Sequence, residues 1–479
     1  MPKRQRNGDA IAVVPGILTG KHCLHLPSPT VYDNMQKDAT WSSTTSTNHL
    51  FARINWRLLP FLTLCYVFAY LDRINIGFAK LQMQADVGLS DAAYGLGAGV
   101  FFLSYMLFEI PSNILLPKIG ARRTLSRIMI LWGLTSASMM FVTSANTFYV
   151  IRFLLGVFEA GFAPGLIFYL TYWYPQNRMA RAITVIMLCG PIGGIFGAPL
   201  STGTMMLLDT VGGLHGWQWM FIAEGLPSVL LGMFGLFWIT DRPAEAKWLS
   251  DTEKCLLAAE LKRDTAGIQP RHHSFRHVIS DPRVLLLGVS YFCIICGHYT
   301  VSFWLPTILK SAGVTSTMTI GILAAIPYIA AIFAMVWWGR RSDRLGERRW
   351  HTVSMLTLAA VALLIAALND TSLLITVISL TVATAGLWAA YTVFWAMPSD
   401  YMKGDTAAGG VALVNTIGLF GGFVSPTLIG YFKTLTGTMQ AGLLGMVGVL
   451  LIGSVLLLFN RLPSPAGTQG LTAAELESS

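Results

Sequence analysis

The chain has 479 residues, of which 54% are hydrophobic and 12% are charged, and its formal net charge is +9. Soluble domains carry about 25% charged residues, so this composition excludes a disordered chain, a coiled coil and a series of soluble domains. Six cysteines in a chain of this length are too few for a disulfide scaffold. The composition therefore indicates a chain that lies largely within a membrane.

Apolar blocks that are long enough to span a bilayer, about 20 residues each, recur along the chain. A polar stretch at 241–282 divides them into two sets of six. In chain order they lie near 58–79, 92–116, 124–144, 148–173, 182–207, 218–239, 283–308, 318–339, 351–369, 372–397, 407–432 and 438–459. We therefore predict an all-α membrane protein with twelve transmembrane helices in two six-helix halves.

The same pattern predicts the organisation of the rest of the chain. The halves are expected at 56–240 and 283–460, joined by a central loop at 241–282. Residues 1–55 are polar and rich in Ser and Thr, contain no apolar core of a signal peptide, and are expected to form a disordered arm. Residues 461–479 are expected to form a short tail.

Basic residues are distributed unequally between alternate loops. If the N-terminus lies in the cytoplasm, the outer loops hold only Lys80, Lys310 and Lys433, and most other Lys and Arg residues lie in inner segments. This asymmetry follows the positive-inside rule, and it predicts that both termini and the central loop face the cytoplasm. Topology thus accounts for the net charge without a nucleic-acid partner.

A short motif recurs after the second and the eighth predicted helix. Residues 113–123 read NILLPKIGARR and residues 339–349 read GRRSDRLGERR, and the same offset aligns Gly120 with Gly346. Two six-helix halves that share a repeated motif are typical of secondary transporters built from parallel repeats.

The second copy of this motif resembles the loop signature of the major facilitator superfamily. The resemblance implies a loop that takes part in the conformational switch, and it rests on Gly339, Asp343, Arg344, Gly346 and Arg348. In the first copy Pro117 stands where the family usually has Asp. We therefore expect a weaker intracellular latch in the N-terminal half.

Four further segments resemble the anion:cation symporter family within that superfamily. They read YLDRINIGFA (70–79), FFLSYMLFEIPSN (101–113), RFLLGVFEAGFAPG (152–165) and FWAMPSDYM (394–402). The resemblance covers about residues 55–460 of the chain. It implies a carrier of organic anions, since members of this family carry tartrate, phthalate, hydroxyphenylacetate, sugar acids or allantoate.

Charged side chains deep in the predicted helices are few, and each is costly in a bilayer. Arg73 and Arg152 are candidate ligands for a substrate carboxylate, because the guanidinium fork matches a carboxylate. Asp72 and Glu159 are candidates for binding the coupling proton, and in the family the matching positions hold the same residue types. The alternative is a purely structural cluster of salt bridges. Arg152 and Glu159 are seven residues apart, which places them on nearly the same helix face.

Neutral contacts to the substrate are expected from Tyr70, Tyr105, Trp395 and Asn415. For the aromatic residues the alternative is packing against neighbours, and for Asn415 it is a hydrogen bond between helices. Glu109 lies near the inner end of its predicted helix, and we expect it to cap or bridge helices.

These observations predict a proton-coupled symporter for a small organic carboxylate in the cytoplasmic (inner) membrane. The alternatives are an antiporter, a sodium-coupled carrier or a membrane sensor with transporter ancestry. We expect no enzymatic activity, no metal and no cofactor besides the coupling proton, and the family resemblance implies a monomer in the lipid bilayer. The sequence has no glycine-rich ATP-binding loop, which argues against a primary pump.

Overall fold

The computed structural model describes residues 40–265, 281–369, 372–401 and 405–460. The predicted tail at 461–479, and residues 1–39 of the predicted arm, lie outside the described residues. Regular structure in the described part of the chain is helical. The expectation of an all-α protein is thereby confirmed.

Eight helices form the N-terminal half. They are α1 (Thr40–Val87), α2 (Asp91–Ile119), α3 (Ala121–Ser138), α4 (Ala145–Glu159), α5 (Phe162–Thr171), α6 (Gln176–Met187), α7 (Cys189–Leu207) and α8 (Gly216–Trp238). The first helix begins at Thr40, so residues 40–55 of the predicted disordered arm are helical in the structure. The expectation of a disordered arm is therefore wrong for residues 40–55, where α1 continues beyond the apolar block into polar residues.

The described part of the central loop contains the α-helix α9 (Asp251–Thr265), and seven α-helices are described in the C-terminal half. These are α10 (Pro282–Ser311), α11 (Thr317–Leu345), α12 (Arg349–Leu368), α13 (Leu373–Phe394), α14 (Ala396–Tyr401), α15 (Asp405–Thr436) and α16 (Gln440–Phe459). The loop helix contacts the N-terminal half through Arg53, which forms an ion pair of 3.1 Å with Glu253.

Eleven spans within the described residues are long and apolar enough to cross a membrane. Three of them consist of two consecutive helices, namely α4 with α5, α6 with α7, and α13 with α14. The twelfth membrane helix is α3, which carries three arginines near its start. The structure therefore confirms twelve transmembrane helices in two halves of six.

The fourth span is broken in its middle, which the continuous apolar block near 148–173 does not predict. The first segment ends at Glu159, Ala160 is not helical, and Gly161 has a φ of 86° before α5 begins. A left-handed φ favours glycine, because other residues meet a steric penalty there. The break therefore ends α4 directly after a buried carboxylate.

The two halves meet along three pairs of helices: α1 with α10, α2 with α15, and α7 with α11. Glycines allow these close approaches. A Cβ at Gly95 would lie 2.2 Å from the carbonyl oxygen of Pro426, and one at Gly194 would lie 2.5 Å from the ring of Tyr328. The segment GPIGGIFGAP, which contains Gly194, is accordingly a close-packing face of α7.

Candidate substrate and proton site

Arg73 lies in the outer half of α1 and contacts both halves of the protein. Its Nη2 donates to Oε1 of Glu159 in an ion pair, and its Nη1 donates to the hydroxyl of Tyr299 at 3.2 Å. The guanidinium also lies 5.4 Å from the ring of Phe101 and 5.5 Å from that of Tyr105. Because Tyr299 belongs to α10, Arg73 joins the N-terminal half to the C-terminal half.

Glu159 is the last residue of α4, and its side chain is 1% exposed. Oε1 accepts from Arg73, whereas the buried Oε2 has no hydrogen-bond partner among the described residues. A buried carboxylate oxygen without a donor is costly. The free oxygen is thus a position at which a proton can bind without displacing another hydrogen bond.

Arg152 is also buried, with 1% of its surface exposed, and lies two turns before Glu159 in α4. Its Nε and Nη2 donate to the backbone carbonyls of Gly97 and Ala98 in α2, both at 3.4 Å. In the described part of the chain no carboxylate forms an ion pair with it. Arg152 is therefore a buried cation held by weak neutral acceptors.

Asp72 faces away from this group, into the interior of the N-terminal half. Its oxygens accept hydrogen bonds from Trp132 Nε1 at 2.9 Å, Ser136 Oγ at 2.8 Å and Ser228 Oγ at 2.8 Å. The ion pairs of the described residues do not include Asp72. Asp72 therefore does not face Arg73 or Arg152, and its predicted part in proton coupling stays a prediction.

The predicted aromatic contacts lie on two sides of Arg73. Tyr105 is buried beside the guanidinium. Tyr70 points across the interface, where its hydroxyl lies 3.4 Å from Nε2 of His298 and 3.5 Å from Oγ of Ser302. Its ring also packs against Trp388 at 5.8 Å. Tyr70 and Tyr105 therefore share one central region with Arg73.

Trp395 and Asn415 lie on the inner side of that region. Trp395 stands between α13 and α14 and packs edge-on against Tyr291 at 4.9 Å. Asn415 of α15 donates through Nδ2 to Oε1 of Glu109 in α2 at 2.9 Å. In the structure Trp395 thus packs against a neighbour and Asn415 forms a hydrogen bond between helices, which are the alternatives named for them above. A contact with substrate stays a prediction for both.

Further members of this region come from the C-terminal half and are not among the predicted site residues. Tyr299 bonds to Arg73, and Trp388 lies 4.5 Å from the ring of His298. For Tyr299 the sequence offers a signal, namely the adjacent polar residue His298 within an apolar helix. For Trp388 it offers none, because aromatic residues on apolar helices usually pack against neighbours.

The second copy of the loop motif forms a closed turn at the inner end of α11. Gly346 has a φ of 62°, and Arg348 Nη1 forms an ion pair of 2.5 Å with Asp343 Oδ1. Gly339 lies within α11, and Arg344 is exposed in its last turn. Asp343, Gly346 and Arg348 are thus brought together at this turn, whereas Gly339 lies about two turns earlier in α11. Their part in a conformational switch stays a prediction.

In the first copy another residue supplies the carboxylate that Pro117 lacks. Asp241, which follows α8, accepts a hydrogen bond of 2.7 Å from the backbone N–H of Arg122 at the start of α3. Gly120, with a φ of 96°, brings the chain close to this carboxylate. A carboxylate at a helix N-terminus interacts favourably with the helix dipole. Asp241 therefore stabilises the loop between α2 and α3.

Comparisons with known proteins agree with the fold. The sequence model of the Major Facilitator Superfamily matches residues 62–426 and, in a second alignment, 318–477. The structure is similar to that of a bacterial homolog of the human lysosomal transporter Spinster, with a TM-score of 0.66 at 17% identity over 84% of this chain and 96% of that one. It is also similar to a D-xylose-proton symporter, with a TM-score of 0.67 at 13% identity over 85% and 98% of the chains.

Curated relatives cover most of the chain. A protein of Pseudomonas putida that is named as a metabolite transport protein, NicT, is 45% identical over 86% of this chain and 94% of its own. A protein of Agrobacterium vitis that is named as a tartrate transporter is 43% identical over 89% and 95%. A quinolone resistance transporter of Acinetobacter baumannii is 42% identical over 84% and 92%. These names agree with the predicted resemblance to anion:cation symporters, and the chain belongs to the major facilitator superfamily, as a multi-pass membrane transporter and not an enzyme.

Proposed function

We propose that this protein carries a small organic carboxylate into the cell together with protons, across the cytoplasmic membrane. The observation that best supports this proposal is the position of Arg73, which donates hydrogen bonds to Glu159 in one half and to Tyr299 in the other. A cation at this junction binds the substrate where the two halves meet, and carriers of this type alternate access by moving the halves about a central site.

The pairing of Arg73 with Glu159 couples the proton to the substrate. A buried cation is destabilised when it loses its counterion. Protonation of Glu159 removes the charge that faces Arg73, and a substrate carboxylate can then replace it in a bidentate pair. By linkage, proton binding at Glu159 and anion binding at Arg73 favour each other by the same free energy.

The charges of this group favour a dicarboxylate over a monocarboxylate. Arg73, Arg152 and Glu159 together carry one net positive charge when Glu159 is ionised and two when it is protonated. A dicarboxylate neutralises the protonated group, and the weak backbone acceptors of Arg152 leave that guanidinium available for the second carboxylate. Two relatives from Agrobacterium vitis are named as tartrate transporters, which supports a tartrate-like substrate.

An antiporter that exports an organic compound is the second candidate. One relative is named as a quinolone resistance transporter, and a transporter confers resistance by moving the drug out of the cell. In either case we propose a monomer that needs no cofactor besides the coupling ion. Both candidates use the same buried arginines, but they differ in the direction in which the proton gradient drives the organic anion.

The test is transport by the purified full-length protein in lipid vesicles. Labelled tartrate, phthalate, gluconate and a fluoroquinolone are offered separately, with either a proton gradient or a sodium gradient imposed. We expect a carboxylate to accumulate when the proton gradient is directed inward, with sodium having no effect. Accumulation driven by sodium, or by a proton gradient of the opposite direction, would contradict proton symport.

A further inference from the structure

The three lysines of the predicted outer loops meet at one cavity. The cavity has a volume of about 380 Å³ and lies between the outer ends of α1, α10 and α15. Its lining includes Lys80 from the N-terminal half and Lys310 and Lys433 from the C-terminal half, together with Gln84, Thr307 and Ser311. Residues that are far apart in the sequence thus place three ammonium groups around a space large enough for a small ligand.

These charges are incompletely neutralised. A single oxygen, Oδ1 of Asp91, accepts from Lys80 at 2.6 Å and from Lys433 at 3.1 Å. Lys310 donates to the backbone carbonyl of Leu81 at 3.3 Å and forms no ion pair with a described residue. When all four groups are ionised, the three ammonium groups and one carboxylate leave a net charge of +2 at the cavity.

The lysines also retain donors that point to no described partner. An ammonium group has three N–H donors. Lys433 uses one on Asp91, and Lys310 uses one on Leu81. Lys80, which is 2% exposed, is held more tightly, since it also lies 3.4 Å from Thr307 Oγ1 and 4.0 Å from the centre of the Trp304 ring. Lys310 and Lys433 therefore offer most of the free donors, whereas Lys80 is already held by Asp91, Thr307 and the Trp304 ring.

We infer that this cavity is a second anion site, which binds the carboxylate of a substrate on the outer side before it reaches Arg73. The class of ligand rests on the proposed function. Lys80 follows Arg73 by seven residues in α1, a rise of about 10 Å along the helix, so the two sites lie one above the other. An anion bound between the halves also competes with Asp91 for Lys433. The ion pair of Asp91 with Lys433 joins the outer end of α2 to that of α15, so anion binding weakens a contact between the two halves.

The test measures the chemical reactivity of Lys310 and Lys433 in whole vesicles. A membrane-impermeant acylating reagent is applied from the outer side at constant ionic strength, and the modified lysines are quantified by mass spectrometry. We expect tartrate to slow the modification of both lysines several-fold. A Val211→Lys variant supplies an outer control amine on another loop, whose modification tartrate should not slow.

Three comparisons decide the outcome. In Arg73→Ala the central site is lost, and protection of Lys310 should persist at the same tartrate concentrations. In Asp91→Asn a competing carboxylate is removed, and protection should appear at lower concentrations. Inorganic phosphate at the same concentration, the third comparison, should protect less than tartrate does. The carboxylate site would be overturned by equal protection from phosphate, by loss of protection in Arg73→Ala, or by unchanged or weaker protection in Asp91→Asn.

The result is separable from that of the transport experiment. If tartrate is transported but protects neither lysine, the outer site is wrong and the proposed function stands. If tartrate protects both lysines in the wild-type protein and in Arg73→Ala but is not transported, the outer site stands and the proposed function is wrong.

Discussion

Arg73 and Glu159 form an ion pair that joins the outer half of α1 to the last residue of α4. Directly after Glu159 the chain leaves the helix and turns at Gly161. The pair therefore holds two helices together at the point where one of them is interrupted. Breaking this pair by protonation changes both the charge of the site and the attachment of α4 to α1.

The first prediction concerns the role of Glu159. Glu159→Gln removes the ionisable group but keeps its shape, so the variant should resemble the protonated carrier. We expect exchange of labelled for unlabelled substrate to continue, and accumulation driven by the proton gradient to be lost. Counterflow and proton-driven uptake in the same vesicles measure the two activities.

Glu224→Gln is a matched control for Glu159→Gln. Glu224 is a buried carboxyl in the same half, and its Oε1 accepts from Ser201 Oγ at 2.6 Å. Gln preserves that acceptor, so proton-driven uptake should be retained. Concentrative uptake that survives in Glu159→Gln with its normal pH dependence would show that Glu159 is structural.

The second prediction separates the charge of Arg73 from its geometry. Arg73→Lys keeps the positive charge, but it loses the planar fork that can bind both oxygens of a substrate carboxylate. Loss of one charged hydrogen bond to the substrate, worth about 1.5–3 kcal/mol, should raise the KM for uptake roughly 10- to 100-fold. Arg73→Ala should abolish uptake. Tyr299→Phe removes a single neutral partner and should have a smaller effect. Normal uptake by Arg73→Ala would place the anion site elsewhere.

The third prediction concerns the packing around Asp72. In Asp72→Asn an amide N–H₂ replaces one of the oxygens that accept from Trp132, Ser136 and Ser228. At least one buried donor then loses its acceptor, which costs about 1–3 kcal/mol. Thermal unfolding in detergent should therefore show a lower Tm for Asp72→Asn than for Glu159→Gln.

Ser136→Ala is the control for this experiment, because it removes one donor and leaves the other two hydrogen bonds of Asp72 intact. It should be less destabilising than Asp72→Asn. If Asp72→Asn is instead as stable as the wild-type protein and lacks only proton-driven uptake, Asp72 acts in coupling as the sequence predicted.

The fourth prediction tests whether Asn415 acts on substrate directly or through Glu109. If its main contact is the 2.9 Å hydrogen bond to Glu109, the effects of Asn415→Ala and Glu109→Gln on uptake should not add. Residues in contact show coupling energies of about 0.5–3 kcal/mol in a double-mutant cycle. Strictly additive effects on KM would favour a separate contact between Asn415 and substrate.

The fifth prediction concerns the inner loop between α11 and α12. Burial raises the pKa of Glu347, but the N–H groups of Trp350 and His351 at 2.7 and 3.1 Å and the His351 ring outweigh it, so the pKa lies below its ordinary value. A carboxyl with a lowered pKa in the folded protein contributes stability above its unfolded pKa and loses it as pH falls through the folded value. The first turn of α12 should therefore open more readily at acidic pH.

Amide hydrogen exchange at Trp350 and His351, corrected for the intrinsic effect of pH, measures this opening. Protection should decrease as pH falls below the ordinary pKa of a Glu side chain, about 4.3. In Glu347→Gln the protection should be lower and independent of pH in that range. Identical pH profiles for the two proteins would contradict the assignment.

The order and number of the membrane helices could be read from the sequence, because hydrophobic length and loop charge are local properties. The apolar blocks matched the twelve helices, and the repeated motif around Gly346 was correctly identified as a loop. The broken fourth span was missed, since Gly and Pro occur in many of the blocks. Only the left-handed backbone at Gly161 distinguishes the place where the helix stops.

The sequence by itself determined which charges lie inside the membrane, whereas the tertiary structure decided what each of them contacts. Asp72 and Arg73 are neighbours, yet one faces Trp132 inside its own half and the other faces Tyr299 across the interface. Successive residues on a helix point about 100° apart, so the direction of each depends on which helices surround α1. The outer lysines likewise come from α1, α10 and α15. They surround one cavity because the packing of the two halves brings the outer ends of these helices together.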